Sequence, residues 1–414
     1  MKLSSYNFVV ESVENSLMFN SRTGNSVVIN NDLSRRLSQL DLAESELENL
    51  KDLGFVVEDS FDEFEEIQSI SRNNTLNSTM KKYRILTTTG CNAKCFYCYE
   101  KGLKALTMSE NTALDVAKFI VAHANENDDV RVEWFGGEPL LNTKAIDIIT
   151  QYVLSNLPVG CSYKAGIISN ASMIDDEIIQ KMITDWKTLQ IQITIDGVGD
   201  NYVRVKQLGS CSFDHLVNNI KKLLDYGIKV DIRVNFNSDN LSDIEDVARY
   251  FSSPEFKGRL KVYAAKIFSS ETKRGYFDLE KESILVEEIL HKYGLKEKGS
   301  ILPRVFRTGC MATYPGFFTI DPTGRVFKCD RRLLDKNSVA TVTNYDDNLI
   351  LNHEWNHMAV AEKCKHCKLY PLCWGGCIYD RINNIYPCYL TENIVLNSLR
   401  LALDDYNEEM EVTS

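Results

Sequence analysis

Nowhere do the 414 residues approach the ~20 continuous apolar positions that a membrane span needs. The start of the chain, MKLSSYNFVVESVENS, lacks an apolar signal core followed by small residues at a cleavage site, so a cytoplasmic location is expected. A positive surplus is missing too. Against 58 Asp and Glu stand 47 Lys and Arg, and the net charge of −11 argues against nucleic acid or an anionic membrane as partner. Histidine is scarce, at six residues, so any metal chemistry must rest on thiolates, which favour zinc, Cu(I) or iron–sulfur clusters. There is no internal repeat and no low-complexity tract.

Cysteine, by contrast, is abundant and unevenly placed. Of twelve, three cluster at 91 to 98, seven lie between 310 and 388, and Cys161 and Cys211 stand alone. Disulfides rarely persist in the cytoplasm, which makes a disulfide scaffold the weaker reading. A hydrophobic content of 44% suits a folded protein, and the length predicts two or three units.

The first ~75 residues read as strands (YNFVVES, NSVVIN) followed by short helical segments. An acidic stretch and the polar SRNNTLNST then mark a boundary. From 83 to about 268, six strand-like segments alternate with helical ones, which predicts βαβ units and a parallel sheet. Six units are too few for an eight-unit barrel, so an open partial barrel or a doubly wound sheet is expected. Functional residues collect at such strand ends. The first carries Cys91, Cys95 and Cys98, the second Gly136-Gly137-Glu138-Pro139, the third Ser169 and Asn170, and the fourth Asp196 and Gly197, with Arg233 and Asn235 on the fifth. After a helical bridge, the region 310–388 is irregular and cysteine-rich, and an amphipathic helix closes the chain.

Three thiolates in one loop can hold three corners of a 4Fe–4S cube, leaving the fourth iron open to a small molecule. Zinc would want a fourth Cys or His, and none lies within 20 residues. The spacing Cys91-x3-Cys95-x2-Cys98, with Tyr97 before the last cysteine, resembles the signature loop of the radical S-adenosylmethionine (SAM) enzymes. Gly136-Gly137-Glu138-Pro139 is similar to the same family's GGEP stretch. The resemblance implies that SAM chelates the open iron and is cleaved by one electron to a 5′-deoxyadenosyl radical. It also implies SAM contacts for Tyr97, Gly136, Gly137, Glu138, Ser169, Asn170 and Asp196, and Arg204 as partner of the SAM carboxylate. In the segment DGVGDNYVRV the chain departs from the family, being shorter and carrying Asp200 where histidine is common.

Cys310-x13-Gly324-x4-Cys329, then Cys364-x2-Cys367-x5-Cys373-x3-Cys377 and Cys388, resembles the SPASM domain of radical SAM enzymes that modify peptides and proteins. Two auxiliary 4Fe–4S clusters are implied, three clusters in all. Cys364, Cys367, Cys373 and Cys388 would complete one, while Cys310, Cys329 and Cys377 would hold the other and leave it a ligand short. Relatives such as the anaerobic sulfatase maturases have a further cysteine where this chain has Arg304. Cys161, Cys211, a carboxylate, water or a substrate thiol remain open as the missing ligand, the substrate thiol being favoured. Asp330 stands where those maturases carry an aspartate base, which implies a catalytic role for it.

The first 75 residues resemble the winged-helix element that captures leader peptides by strand addition, an ordinary capping subdomain being the alternative. The expected fold is therefore α/β: a partial (β/α)6 radical SAM barrel at 80–300, an N-terminal α+β winged-helix-like domain at 1–75, a SPASM domain at 301–395 and a helix at 396–414. The expected function is modification of a ribosomally made precursor peptide, with thioether formation at a substrate cysteine favoured. Formylglycine formation, carbon–carbon cross-linking and epimerisation stay open. So do a small-molecule radical SAM enzyme and a non-enzymatic iron–sulfur or zinc adaptor. A ferredoxin or flavodoxin is the implied electron donor.

Overall fold

The computed structural model describes residues 1–98, 100–101, 104–209, 211–237, 240–267, 276–296, 301–333, 338–347, 355, 358–383 and 388–413. It divides into two compact units. One comprises Ser78–Lys273 and Met311–His357, the other Met1–Asn77, Arg274–Cys310 and Met358–Ser414. The boundary expected near 300 falls outside the described residues.

In the first unit six strands run parallel in the order in which the sequence presents them. They are β6 (Met80–Thr88), β7 (Asp129–Gly136), β8 (Ser162–Ser169), β9 (Thr188–Thr194), β10 (Lys229–Phe236) and β11 (Lys261–Lys266). Helices α4 (Glu110–Ala122), α5 (Thr143–Asn156), α6 (Asp176–Thr184), α8 (Phe213–Asp225) and α9 (Leu241–Phe251) connect them. Ser109, Asp175 and Ser212 start three of these helices by accepting a backbone N–H from Thr112, Ile178 and His215. Helix α8 buries Phe213, Leu216, Val217, Ile220 and Leu223, the 3.6-residue stripe of a surface helix. Each such side chain contributes about 1.5–3 kcal/mol by leaving water.

The sheet does not end at β6. Strand β12 (Phe317–Ile320) pairs with it in parallel, and β13 (Arg325–Phe327) and β14 (Ala340–Thr341) follow antiparallel, giving nine strands with β11 and β14 as edges. On one face Tyr83 stacks on Phe318 at 5.7 Å and meets Phe119 of α4 edge-on. The alternate residues of β6 and β7 point to the other face, as a strand's period of two requires. There Lys82 and Arg84 pair with Glu133, while Leu86, Phe135, Ile168, Phe327 and Leu333 cluster nearer the strand ends.

The second unit begins with β1 (Lys2–Leu3), paired antiparallel with β5 (Val56–Val57), then the antiparallel strands β2 (Asn7–Glu11), β3 (Asn15–Asn20) and β4 (Ser26–Asn30), with helices α1 (Asn31–Ser38), α2 (Glu44–Asp52) and α3 (Glu63–Leu76). One face of the sheet carries Phe8, Val10, Leu17 and Phe19 against Val395, Leu399 and Leu403 of the helix Glu392–Thr413. The other sets Met18 and Ile29 against Leu37, Leu50 and Phe55. Burial on both faces explains why the middle of β3 runs Leu17-Met18-Phe19 without alternating.

Candidate active site

At the C-terminal end of β6 the chain turns into the segment Thr89–Cys98, and the end of β7 lies directly against it. Gly137 donates its N–H to the Thr88 carbonyl and Glu138 to that of Gly90. A Cβ on Gly136 would stand 2.1 Å from the Thr88 oxygen, and one on Gly137 2.2 Å from the Gly90 oxygen. Only glycine permits this approach, and Gly136 also has φ of 117°.

The Glu138 side chain points into the protein. Its carboxylate accepts from Ser169 Oγ at 2.8 Å, from the Asn170 N–H at 2.8 Å and from the Leu140 N–H at 3.1 Å. Burial pushes its pKa up to about 7 despite those donors. Glu138 thus fixes the end of β8. Asn170 continues outward: its Nδ2 donates to Asn92 Oδ1 inside the cysteine loop, and Asn92 donates to Ser172.

Asp196, at the end of β9, is 1% exposed and fully engaged. It accepts from Tyr97 Oη, from the Asn235 N–H at 2.7 Å, and pairs with Lys206 Nζ at 2.9 Å. Tyr97 therefore turns its hydroxyl inward, and burial with the Asp196 charge raises its pKa far above the usual tyrosine range. Arg204, on α7 (Asp200–Lys206), is 66% exposed and reaches Asp243 only at 3.7 Å, leaving a solvated guanidinium on the rim. Asp330 lies against β6, where Arg84 Nη1 donates to it at 2.9 Å, and Cys329 Sγ stands 3.6 Å from its other oxygen.

Among the described residues no three Cys, His, Asp or Glu side chains converge as a single ion would require. A cuboidal iron–sulfur cluster asks for something else, since each thiolate binds a different iron. Cys91, Cys95 and Cys98 meet that demand. Burial raises the Cys91 thiol to about 11, and the charges of Cys95 and Cys98 add to the rise. Backbone amides already aim at the sulfurs: Ala93 N–H donates to Cys91 at 3.3 Å, and the amides of Glu100 and Lys101 favour the Cys98 thiolate. Two amide-solvated thiols with a third beside them in the same loop fit a cluster whose iron would hold them as thiolates.

In the other unit Cys364, Cys367, Cys373 and Cys388 form a second such set. Burial pushes Cys373 up to about 11, with the charges of Cys367, Cys364 and Cys388 adding to the rise. Trp374, Gly375 and Gly376 are all left-handed, which wraps the chain around this site and turns the Gly375 amide onto Cys373. Gly376 donates to the Cys373 carbonyl at 2.9 Å, and Lys363 Nζ reaches Cys388 at 3.5 Å. Cys310 and Cys377 belong to this unit and Cys329 to the first. Cys161 donates to the Asn125 carbonyl, and Cys211 lies beside Tyr202. Sequence reasoning missed Arg84, Asn92 and Lys206. Asn92, between two cysteines of the loop, was the one with a visible signal.

Residues 85–251 match the Radical SAM superfamily. An uncharacterized protein of Methanocaldococcus jannaschii is 29% identical over 41% of this chain and 58% of its own length. The cysteine-type anaerobic sulfatase-maturating enzyme of Clostridium perfringens is 23% identical over 70% of this chain and 86% of its own. Among solved structures, anSMEcpe with bound AdoMet superposes with a TM-score of 0.60 at 19% identity, covering 81% of this chain and 98% of that one. Streptococcus suis SuiB bound to precursor peptide SuiA gives 0.55 at 12%, covering 94% and 99%.

Proposed function

We propose, from the premise that this chain is a radical SAM enzyme of the SPASM maturase type, that it modifies a ribosomally made precursor peptide and forms a thioether at a substrate cysteine. The observation that carries the reading is the pair of thiol sets, one in the loop packed on Gly136-Gly137 and one around Trp374–Gly376. SuiB, whose structure holds a precursor peptide, is similar in fold over 94% of this chain.

When bound, SAM and the cluster at Cys91, Cys95 and Cys98 supply a 5′-deoxyadenosyl radical that removes one hydrogen atom from a substrate carbon. Thioether formation replaces that C–H and a cysteine S–H by one C–S bond. The second hydrogen leaves as a proton, and one electron is left over, for which an auxiliary cluster held by the C-terminal cysteines would be the acceptor. Asp330 is the proposed acceptor of the proton, with Arg84 keeping it in place. Gly136, Gly137, Asn170 and Tyr97 shape the SAM pocket, and Arg204, whose exposed guanidinium rests on Asn201 and Asp243, is the proposed partner of the SAM carboxylate. Cys364, Cys367, Cys373 and Cys388 hold one auxiliary cluster. Cys310, Cys329 and Cys377 are proposed to hold another, whose open place a substrate thiol would take. The leader is captured by strand addition in the N-terminal module, and a ferredoxin or flavodoxin provides the electron.

Formylglycine formation is the second reading, favoured by the likeness to the sulfatase-maturating enzymes and by Asp330. One anaerobic experiment separates the two. Reconstituted protein, SAM, dithionite and a synthetic cysteine-bearing precursor are followed by mass spectrometry. Loss of two hydrogens with blocked thiol alkylation supports the thioether, and a cysteine converted to an aldehyde supports formylglycine. Absence of 5′-deoxyadenosine after full iron loading would sink both.

A further inference from the structure

Lys206 is the last residue of α7, and its side chain is 3% exposed. A buried ammonium is costly unless paired, and this one is paired on two sides, with Asp196 at 2.9 Å and Tyr97 Oη at 2.8 Å. Its main chain is engaged as well, because the Lys206 carbonyl accepts the Lys94 N–H at 2.9 Å. Lys94 precedes Cys95 and Tyr97 precedes Cys98, so one residue grips the cysteine loop at the position before each of these two cysteines. Asp196 in turn is anchored to β10 through the Asn235 amide. Four separate segments thus meet at a single lysine: the loop, the end of β9, α7 and β10. Nothing in the spacing of the cysteines calls for it.

We propose that Lys206 is the positioning residue of the cysteine loop, holding its shape before any metal arrives and cancelling the buried Asp196 charge beside the site. The first role follows from the hydrogen bonds. Lys206 lies outside the loop in sequence and holds it at two points, the Lys94 N–H and the Tyr97 hydroxyl, through contacts that need no metal. The second follows from electrostatics and rests on the loop being the cluster site. A thiolate-bound cluster gains negative charge on reduction, and an uncancelled carboxylate nearby would disfavour the reduced form.

Three variants test this: Lys206→Met, Lys206→Arg, and the double variant Lys206→Met with Asp196→Asn, which removes the carboxylate that the single change would strand. In metal-free protein, hydrogen exchange over residues 91–98 should quicken at least tenfold in Lys206→Met and in the double variant, with strands β6 to β10 still protected. Unchanged loop exchange in both would overturn the positioning role. In reconstituted protein, the midpoint potential of the cluster at Cys91, Cys95 and Cys98 should move to more negative values in Lys206→Met and stay near that of the parent in Lys206→Arg. An unmoved potential in Lys206→Met would overturn the charge role. Should the parent loop take up no iron, the cluster reading and the charge role fall together, while loop exchange still decides the positioning role.

Discussion

Arg84 and Asp330 are 246 positions apart in sequence and 2.9 Å apart in space, joined because β12 adds itself in parallel to the edge of β6. Arg84 also holds Glu133, whose pKa burial would raise but which Arg84 and Lys82 together pull below the usual carboxylate range. The guanidinium thus spans two carboxylates on the polar face of the sheet. Asp330 is oriented by its partner and set next to Cys329.

If Asp330 takes the substrate proton, Asp330→Asn should slow product formation by about 10²–10⁴-fold while SAM cleavage continues. Arg84→Met should lower both product formation and stability, the latter by about 1–3 kcal/mol, since Glu133 is left with Lys82 alone. Comparing 5′-deoxyadenosine with modified peptide in the same reactions checks the first. Chemical unfolding of the metal-free protein checks the second.

Gly137→Ala should damage one thiol set and spare the other. The added Cβ would meet the carbonyls of Gly90 and Thr89, backbone atoms that cannot swing away. Iron bound through Cys91, Cys95 and Cys98 should fall severalfold, while iron held in the other unit is retained. Uniform loss of both would count against the assignment.

Glu138 makes stability depend on pH. Its folded pKa, pushed up to about 7, exceeds that of an exposed glutamate, so the folded protein keeps a proton that the unfolded chain gives up from about pH 4 onward. The associated stability is present at low pH and is lost as pH rises to about 7, by at most about 3 kcal/mol. Metal-free protein should therefore unfold at lower denaturant at pH 8 than at pH 5 through this group. In Glu138→Gln the difference should shrink, although that variant sacrifices the bond from the Asn170 amide.

Much of this architecture was legible from periodicity. The six strands after residue 78 appear where the alternation of strand-like and helix-like segments put them, and their pairing order follows chain order. Parallel βαβ units are local enough for that. Strands β12 to β14 were not legible, because their place beside β6 depends on a pairing more than 200 residues away. Within the site, cysteine spacing and the Gly136-Gly137 pair declared themselves, since glycine at a strand end has a steric meaning. Asp196 and Glu138 were read as SAM contacts, and what the sequence did not show is that protein donors hold both carboxylates. A sequence shows that a carboxylate is present but not whether its partners lie inside or outside the fold. Lys206 was invisible for the same reason, being one lysine among many on a short helix.

The free edge of β4 offers the sharpest test of leader capture. Asn20 donates its N–H to the Asn25 carbonyl, which makes Asn20 and Asn25 a hydrogen-bonded pair. Antiparallel alternation then turns the backbone of Val27 and Ile29 toward β3, opposite Met18 and Ser16, and that of Val28 away from it. Among the described residues no strand pairs with that outer edge. Val28→Pro would remove the one outward N–H in the middle of β4 and keep the bonds to β3. A precursor that adds as a strand should bind between about twofold and tenfold more weakly, the worth of one net hydrogen bond. Titration of a fluorescent leader peptide reads the affinity, and the unfolding midpoint reports whether the strand survives. Unchanged affinity in a folded variant would move leader capture away from β4 and leave the sheet as a capping element.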